Sequence, residues 1–265
     1  MRLQMHCALA TALMSGMASA TTVTVTVESL APANGVFFTP VWVGFHNGNF
    51  DLYDLGMPAS TGLERIAEDG DTAPLAAEFL ASAAGLAEAT ITGPGLPGTP
   101  PVFPPGTSAS VTFELDGSVP ANRYFSYASM IIPSNDAFIA NGNPLAHKIF
   151  DDDGTFLGAQ FTVFGAQVND AGTEINDELP ANTAFFGQMT PDTGVRENGV
   201  VHVHPGFNAP GSGGILDDAM FANADFTAAG YQIARITVVP EPAALIGLAL
   251  ALGACVRPRR VRESD

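Results

Sequence analysis

The sequence predicts a mainly β protein, an antiparallel β-sandwich carrying a short helical insertion. Three observations predict it. Thr22 to Val27 alternates Thr and Val strictly, the period of a strand with one buried face. Six further runs rich in β-branched and aromatic residues follow, separated by Gly, Pro, Asn and Asp clusters as in a sandwich or barrel. Only Gly62 to Ala89 has the Ala, Leu and Glu content of helices.

The elements follow in chain order. Residues 1–20 carry Arg2 and His6, then an apolar stretch from Cys7 to Met17, then Ala18-Ser19-Ala20. A basic start, a short apolar run and a small-x-small site make a secretory signal peptide, with cleavage expected after Ala20. The competing reading, a buried N-terminal helix, fits poorly with the abrupt switch to Thr/Val alternation at Thr21. After Thr22 to Val27, the expected strands are Val41 to Phe45, Ser110 to Leu115, Tyr124 to Ile132, Phe161 to Val168, Val200 to His204 and Tyr231 to Val238. Gly62 to Ala89 is expected to form one or two helical segments broken near Gly70 to Pro74, an insertion on the β scaffold. Gly93 to Gly106, with Gly-Pro-Gly, Pro-Pro and Pro-Gly steps, reads as an extended surface loop.

At the other end, Val239-Pro240-Glu241-Pro242 precedes an apolar run, Ala243 to Val256, and then Arg257, Arg259, Arg260 and Arg262. A helix over that run reaches only about 21 Å, against about 30 Å for a bilayer's hydrocarbon core. The arginines would stay on the cytoplasmic side, leaving the domain outside. The arrangement resembles the PEP-CTERM sorting signal of Gram-negative bacteria. That resemblance implies an exosortase-type membrane protease as partner, cleavage near Pro240, Glu241 and Pro242, and delivery to the outer surface or matrix. A plain C-terminal membrane anchor is the alternative, and it too exports the domain. The expected organisation is therefore a signal peptide at 1–20, one β domain at 21–239 and a sorting segment at 240–265.

Composition narrows the function classes. The only cysteines, Cys7 and Cys255, fall in the two end segments, so the domain between them forms no disulfide and must be held by packing or bound ions. Of 27 acidic residues, 24 lie in the domain, whereas only five of the 10 basic residues do. Such an excess repels nucleic-acid phosphates and anionic lipid headgroups and attracts cations. Nucleic acid is therefore not an expected partner, and the membrane is met only transiently through the tail.

Three acidic loops stand out: Pro133-Ser134-Asn135-Asp136, Asp151-Asp152-Asp153-Gly154, and Asp170-Ala171-Gly172-Thr173-Glu174 continuing to Asp177 and Glu178. Calcium takes six to eight oxygen ligands, and carboxylates on neighbouring loops at one end of a sandwich supply them. Solvated turns read the same way from spacing alone. Val201-His202-Val203-His204 puts two histidines on one face of a strand, where a metal could be shared. Without a third ligand in a recognisable motif, two histidines on the wet face of an outer strand is the preferred reading. Gly211-Ser212-Gly213-Gly214 matches a phosphate loop only in its glycines. The chain has no Gly-x-Ser-x-Gly elbow, and the domain has no cysteine nucleophile.

Tyr127-Ala128-Ser129-Met130-Ile131-Ile132-Pro133-Ser134-Asn135-Asp136, followed by Asp170-Ala171-Gly172-Thr173-Glu174, resembles the spondin N-terminal domain family. The opening strand and Pro40-Val41-Trp42-Val43-Gly44 fit the same family. The resemblance implies secretion, an antiparallel β-sandwich and one calcium held by three acidic side chains, which fall on Asp136, Asp170 and Glu174. Three departures matter. Ala137 stands where animal members carry Trp, the disulfide cysteine that follows there is missing, and the third ligand is Glu174 where they have Asp. What carries over is fold, secretion and a calcium site, not the animal role in adhesion.

The expected function is an exported, non-enzymatic, calcium-binding surface or extracellular-matrix protein, associated with a biofilm, with a matrix polysaccharide or surface protein as partner. The alternatives are an exported polysaccharide-active hydrolase and a carbohydrate- or protein-binding module.

Overall fold

In the computed structural model, residues 20–241 are described. The expected signal peptide, up to Ser19, and the expected sorting segment, from Pro242 onward, lie outside the described residues. The strands are β1 (Thr21–Ser29), β2 (Phe37–Phe38), β3 (Val41–His46), β4 (Ala87–Ile91), β5 (Ser108–Leu115), β6 (Tyr124–Ile132), β7 (Ala137–Ala140), β8 (Ala159–Phe164), β9 (Asn169–Asp170), β10 (His202–Val203) and β11 (Gln232–Pro240). Helices α1 (Thr61–Asp69) and α2 (Ala73–Ser82) lie between β3 and β4. The strands form two antiparallel sheets, one in the order β5-β1-β11-β8 and the other β10-β9-β7-β6-β3-β4, with β2 paired to β6. The fold is mainly β, as the sequence predicts. None of the helices among the described residues is long and apolar enough to cross a membrane.

The Thr/Val alternation of β1 does what its period dictates. Val23, Val25 and Val27 are fully buried against the facing sheet. The threonines line the outer face, where Thr22 Oγ1 donates to Glu114 at 2.7 Å and Thr26 Oγ1 meets Ser110 Oγ at 2.8 Å. Strand β1 is central, pairing Val25 with Val111 of β5 and with Val238 of β11. Pro240 pairs with Val23, and the Glu241 N–H donates to Thr22 O at 2.9 Å, so the first two residues of the Pro-Glu-Pro motif continue this ladder.

The second sheet is covered on both faces, which explains why β6 shows no alternation and is buried at every residue after Tyr124. One face meets the first sheet through Val41, Val43, Phe45, Phe125, Tyr127 and Ile131. The other carries the helical insertion, with Trp42 packed at 5.2 Å from the Phe79 ring and 5.7 Å from that of Phe50. Gly44 makes room for this, because a Cβ there would sit 2.7 Å from the Trp42 ring. Ser60 caps α1 by accepting the Leu63 N–H at 3.1 Å, and Gly70 closes it at φ 67°. Glu78 of α2 accepts from Gly62 N–H at 2.7 Å and from Ser60 Oγ at 2.8 Å, locking the two helices together.

Three expected boundaries change. The segment expected to be helical through Ala89 leaves the helix after Ser82, and Ala87–Ile91 becomes β4 on the edge beside β3. The strand expected to run to Val168 stops at Phe164, where Gly165–Gln167 forms a single 3-10 turn. The Val200 to His204 strand shrinks to His202–Val203. The short strands β2, β7 and β9 are not expected from the sequence, because each is too short to carry a period.

Candidate metal centre

The loop after β6 and the segment after β9 meet because β7 and β9 pair, placing Ala137 opposite Asp170. Asp136 sits at the crossing. Its backbone carbonyl accepts from Ala171 N–H at 3.2 Å. Its carboxylate Oδ2 accepts from Thr173 N at 2.8 Å, Glu174 N at 3.0 Å and Thr173 Oγ1 at 3.2 Å. Asp136 Oδ1 is buried with no hydrogen-bond partner. Burial, followed by the nearby Asp170 charge, pushes the Asp136 carboxyl well above the usual carboxylate range, against the three donors that pull it down.

Asp170 is fully buried and better satisfied. Its Oδ1 accepts from Gly172 N at 2.7 Å; Gly172 has φ 68°, and a Cβ there would meet Val200 N at 2.5 Å. Its Oδ2 accepts from Asn176 Nδ2 and lies 3.6 Å from His202 Nε2. His202 is exposed, but His204 is buried, with its ring edge-on to Phe226 at 5.2 Å and Nε2 3.3 Å from Asn176 Oδ1. The wet-face reading therefore holds for His202 and fails for His204. The backbone bond from His204 N to Val168 O turns that residue inward beyond β10.

Glu174 runs the other way. Its backbone joins Asp136, but its carboxylate gathers with Glu68 of α1 and Asp192, one oxygen of each lying within 4.8 Å of the others. Among the described residues, these three form the acidic group in which ligand atoms converge. Glu174 Oε2 and Glu68 Oε2 are both buried without a hydrogen-bond partner. Burial, then the Glu68 charge and then Asp136, push the Glu174 carboxyl up to about 8. Burial foremost likewise raises Glu68 to about 6. Arg65 offsets part of the charge, forming an ion pair with Asp69 at 2.6 Å and lying 3.7 Å from Asp192 and 3.9 Å from Glu68. Gly194 lies under the Glu174 carboxylate, where a Cβ would approach within 1.9 Å of Cδ.

The three sequence-predicted residues adjoin at one carboxylate hub through Asp136, but their carboxylates do not converge as one ligand set: Asp170 faces His202, and Glu174 turns to Glu68 and Asp192. Glu68 and Asp192 were not singled out in the sequence. The one available signal was Glu64 and Glu68 at i,i+4 on α1, a repulsive spacing on an exposed helix. The other acidic runs do different work. Asp151 Oδ1 accepts from Thr155 N at 2.7 Å and Asp152 pairs with Lys148 at 3.0 Å, so that run is a surface turn. Asp177 accepts from Leu179 N at 2.9 Å, and Glu178 Oε2 from Ile215 N at 2.8 Å. The amides of the Gly211 to Gly214 loop are taken by Asp217, with Gly211 N at 2.6 Å and Gly213 N at 2.5 Å.

The Spondin_N family model matches residues 30–143. This Spondin_N match runs from the end of β1 through β7, including the helical insertion and Asp136, and covers less than half of the chain. Asp170, Glu174 and Asp192 lie beyond it. Over the matched segment the chain is similar to the spondin N-terminal family, as the Tyr127 to Asp136 stretch suggests. No curated protein matches the chain.

Proposed function

We propose that this chain is an exported, non-enzymatic protein of the cell surface or extracellular matrix, with calcium bound at the carboxylate hub around Asp136 and Glu174. The observation that carries the reading is the set of buried carboxylate oxygens without donors, Asp136 Oδ1, Glu174 Oε2 and Glu68 Oε2. Buried carboxylate oxygens without hydrogen-bond donors are costly, Arg65 at 3.9 Å from Glu68 compensates only in part, and an all-oxygen donor set suits a hard cation such as calcium. Asp136, Asp170 and Glu174 are the side chains the family resemblance assigns to it. Bound calcium would neutralise the hub and join the β7 and β9 loops to the insertion. Export rests on the signal-like residues 1–20, and release from the membrane on an exosortase-type protease acting at Pro240 to Pro242. A matrix polysaccharide or surface protein is the proposed partner, in a biofilm setting.

The test is a thermal melt in calcium against chelator, with Asp136→Ala and Asp170→Ala alongside. A rise in Tm of several degrees that calcium gives the parent and neither variant keeps would support the reading. Equal destabilisation of the variants in calcium and in chelator would count against it.

A further inference from the structure

A cleft of about 430 Å³ opens where the β8 edge of the first sheet faces the β7 and β10 side of the second. That volume falls in the range of small-molecule sites, about 300–1,000 Å³. Among the described residues that line it there is no Asp, Glu, Lys or Arg, in a chain of formal charge −17. Its titratable rings are kept neutral: burial lowers the His147 pKa to about 4 and raises those of the Tyr53 and Tyr127 phenols. A cleft kept free of charge in so acidic a protein selects against ions of either sign.

Its walls combine aromatic rings with amides. His147 stacks on Phe161 with ring centroids 3.7 Å apart and planes within 8°, and Tyr127 adjoins Phe161 at 5.6 Å. Tyr53 also lines the cleft, its ring lying over Gly142, where a Cβ would come within 2.7 Å of it. The amides are set in complementary ways. Asn143 Oδ1 accepts from Leu145 N and Gln167 Oε1 from Phe164 N, both at 2.9 Å. Their NH₂ groups have no partner among the described residues. Asn169 is the reverse: its NH₂ donates to Tyr53 Oη at 2.9 Å and Gln167 O at 3.3 Å, leaving its carbonyl oxygen without a donor among the described residues. Unpaired donors and acceptors beside aromatic faces suit a ligand with one apolar C–H face and a rim of hydroxyls. A purely apolar ligand would leave those amides unpaired, at a cost of about 1–3 kcal/mol for each buried group.

We propose that this cleft binds a neutral saccharide, a mono- or disaccharide unit of a longer glycan. The partly exposed rings of Tyr53, His147 and Phe161 stack on the sugar, with Tyr127 buried behind them, Asn143 and Gln167 donate to its hydroxyls, and Asn169 accepts from them. The site is separate from the carboxylate hub and does not depend on its cation.

The test applies the full chain to an array of neutral and acidic glycans. Any hit is then titrated calorimetrically as the free disaccharide up to about 10 mM, a few-fold above a weak millimolar Kd, with and without chelator. Gln167→Ala, at an exposed position, and His147→Ala are compared after circular dichroism has verified their folding. The expected result is binding of a neutral glycan, retained in chelator and weakened about tenfold or more by either folded variant. Absence of binding to neutral glycans, binding of acidic glycans only, or binding indifferent to both variants would overturn the proposal. Loss of binding in chelator would overturn it as well, assigning recognition to the carboxylate hub.

Discussion

Glu174 is where opposing forces are largest at the scale of a single residue. Its carboxyl is raised from an ordinary 4.5 to about 8 by burial and by Glu68, and Glu68 itself to about 6. The folded protein therefore holds protons that the unfolded chain has released. By linkage, stability in chelator is highest below about pH 4.5 as far as these groups are concerned, and falls as pH rises toward 8. Chemical denaturation at pH 5, 6, 7 and 8 should show that decline, and Glu174→Gln should flatten it. In the calcium-bound state proposed above, the cation would replace those protons. Calcium titrations in buffers of different ionisation enthalpy should accordingly report proton release, with affinity increasing from pH 6 to 8; no buffer dependence would argue that the hub is not the site. Gly194→Ala tests the same geometry from the backbone side, because the new methyl displaces the Glu174 carboxylate. It should remove calcium-dependent stabilisation while leaving the chelator melt within a few degrees of the parent.

At the scale of elements, the helical insertion depends on a second, smaller core on the outer face of the second sheet. Trp42 is its centre, fully buried against Phe50 and Phe79, yet its Nε1 has no hydrogen-bond partner. Trp42→Ala should cost about 3–5 kcal/mol, as large-to-small core changes do. Trp42→Phe should cost far less, because it removes an unsatisfied donor along with some volume. Denaturant midpoints of the two variants separate these contributions. Ser60→Ala removes the α1 cap and should cost about 1 kcal/mol. Since α1 carries Glu68, fraying that helix should also weaken calcium binding, readable as a smaller calcium-dependent shift in Tm.

For the molecule as a whole, β1 and β11 hold the first sheet at its centre, while the hub closes one end of the second sheet with loops rather than long strands. Amides of β1, β6 and β11 should be the slowest to exchange with solvent. Those of residues 171–199 should exchange faster in chelator and slow selectively when calcium is added. Uniform protection across the chain would instead indicate general charge screening.

Much of this architecture was legible because it is local. The Thr/Val alternation of β1, the alternating run of β5, the continuous apolar and β-branched runs of β6 and β11, and the break between α1 and α2 at Gly70 each follow from a pattern or a cap contained within a few residues. Asp136, Asp170 and Glu174 were singled out by loop chemistry and family resemblance, and Asp136 and Asp170 do lie within interaction range of each other. Strands β2, β7, β9 and β10 were missed or overdrawn, because two to four residues carry no period and exist only through their partners. Glu68, Asp192 and the inward turn of His204 were decided by tertiary structure alone. Convergence of carboxylates from α1, the β9 loop and residue 192, like the neutral cleft between two sheet edges, depends on which surfaces pack together, and no local pattern records that. The sequence by itself determined which faces are buried; only packing decided which buried polar groups meet.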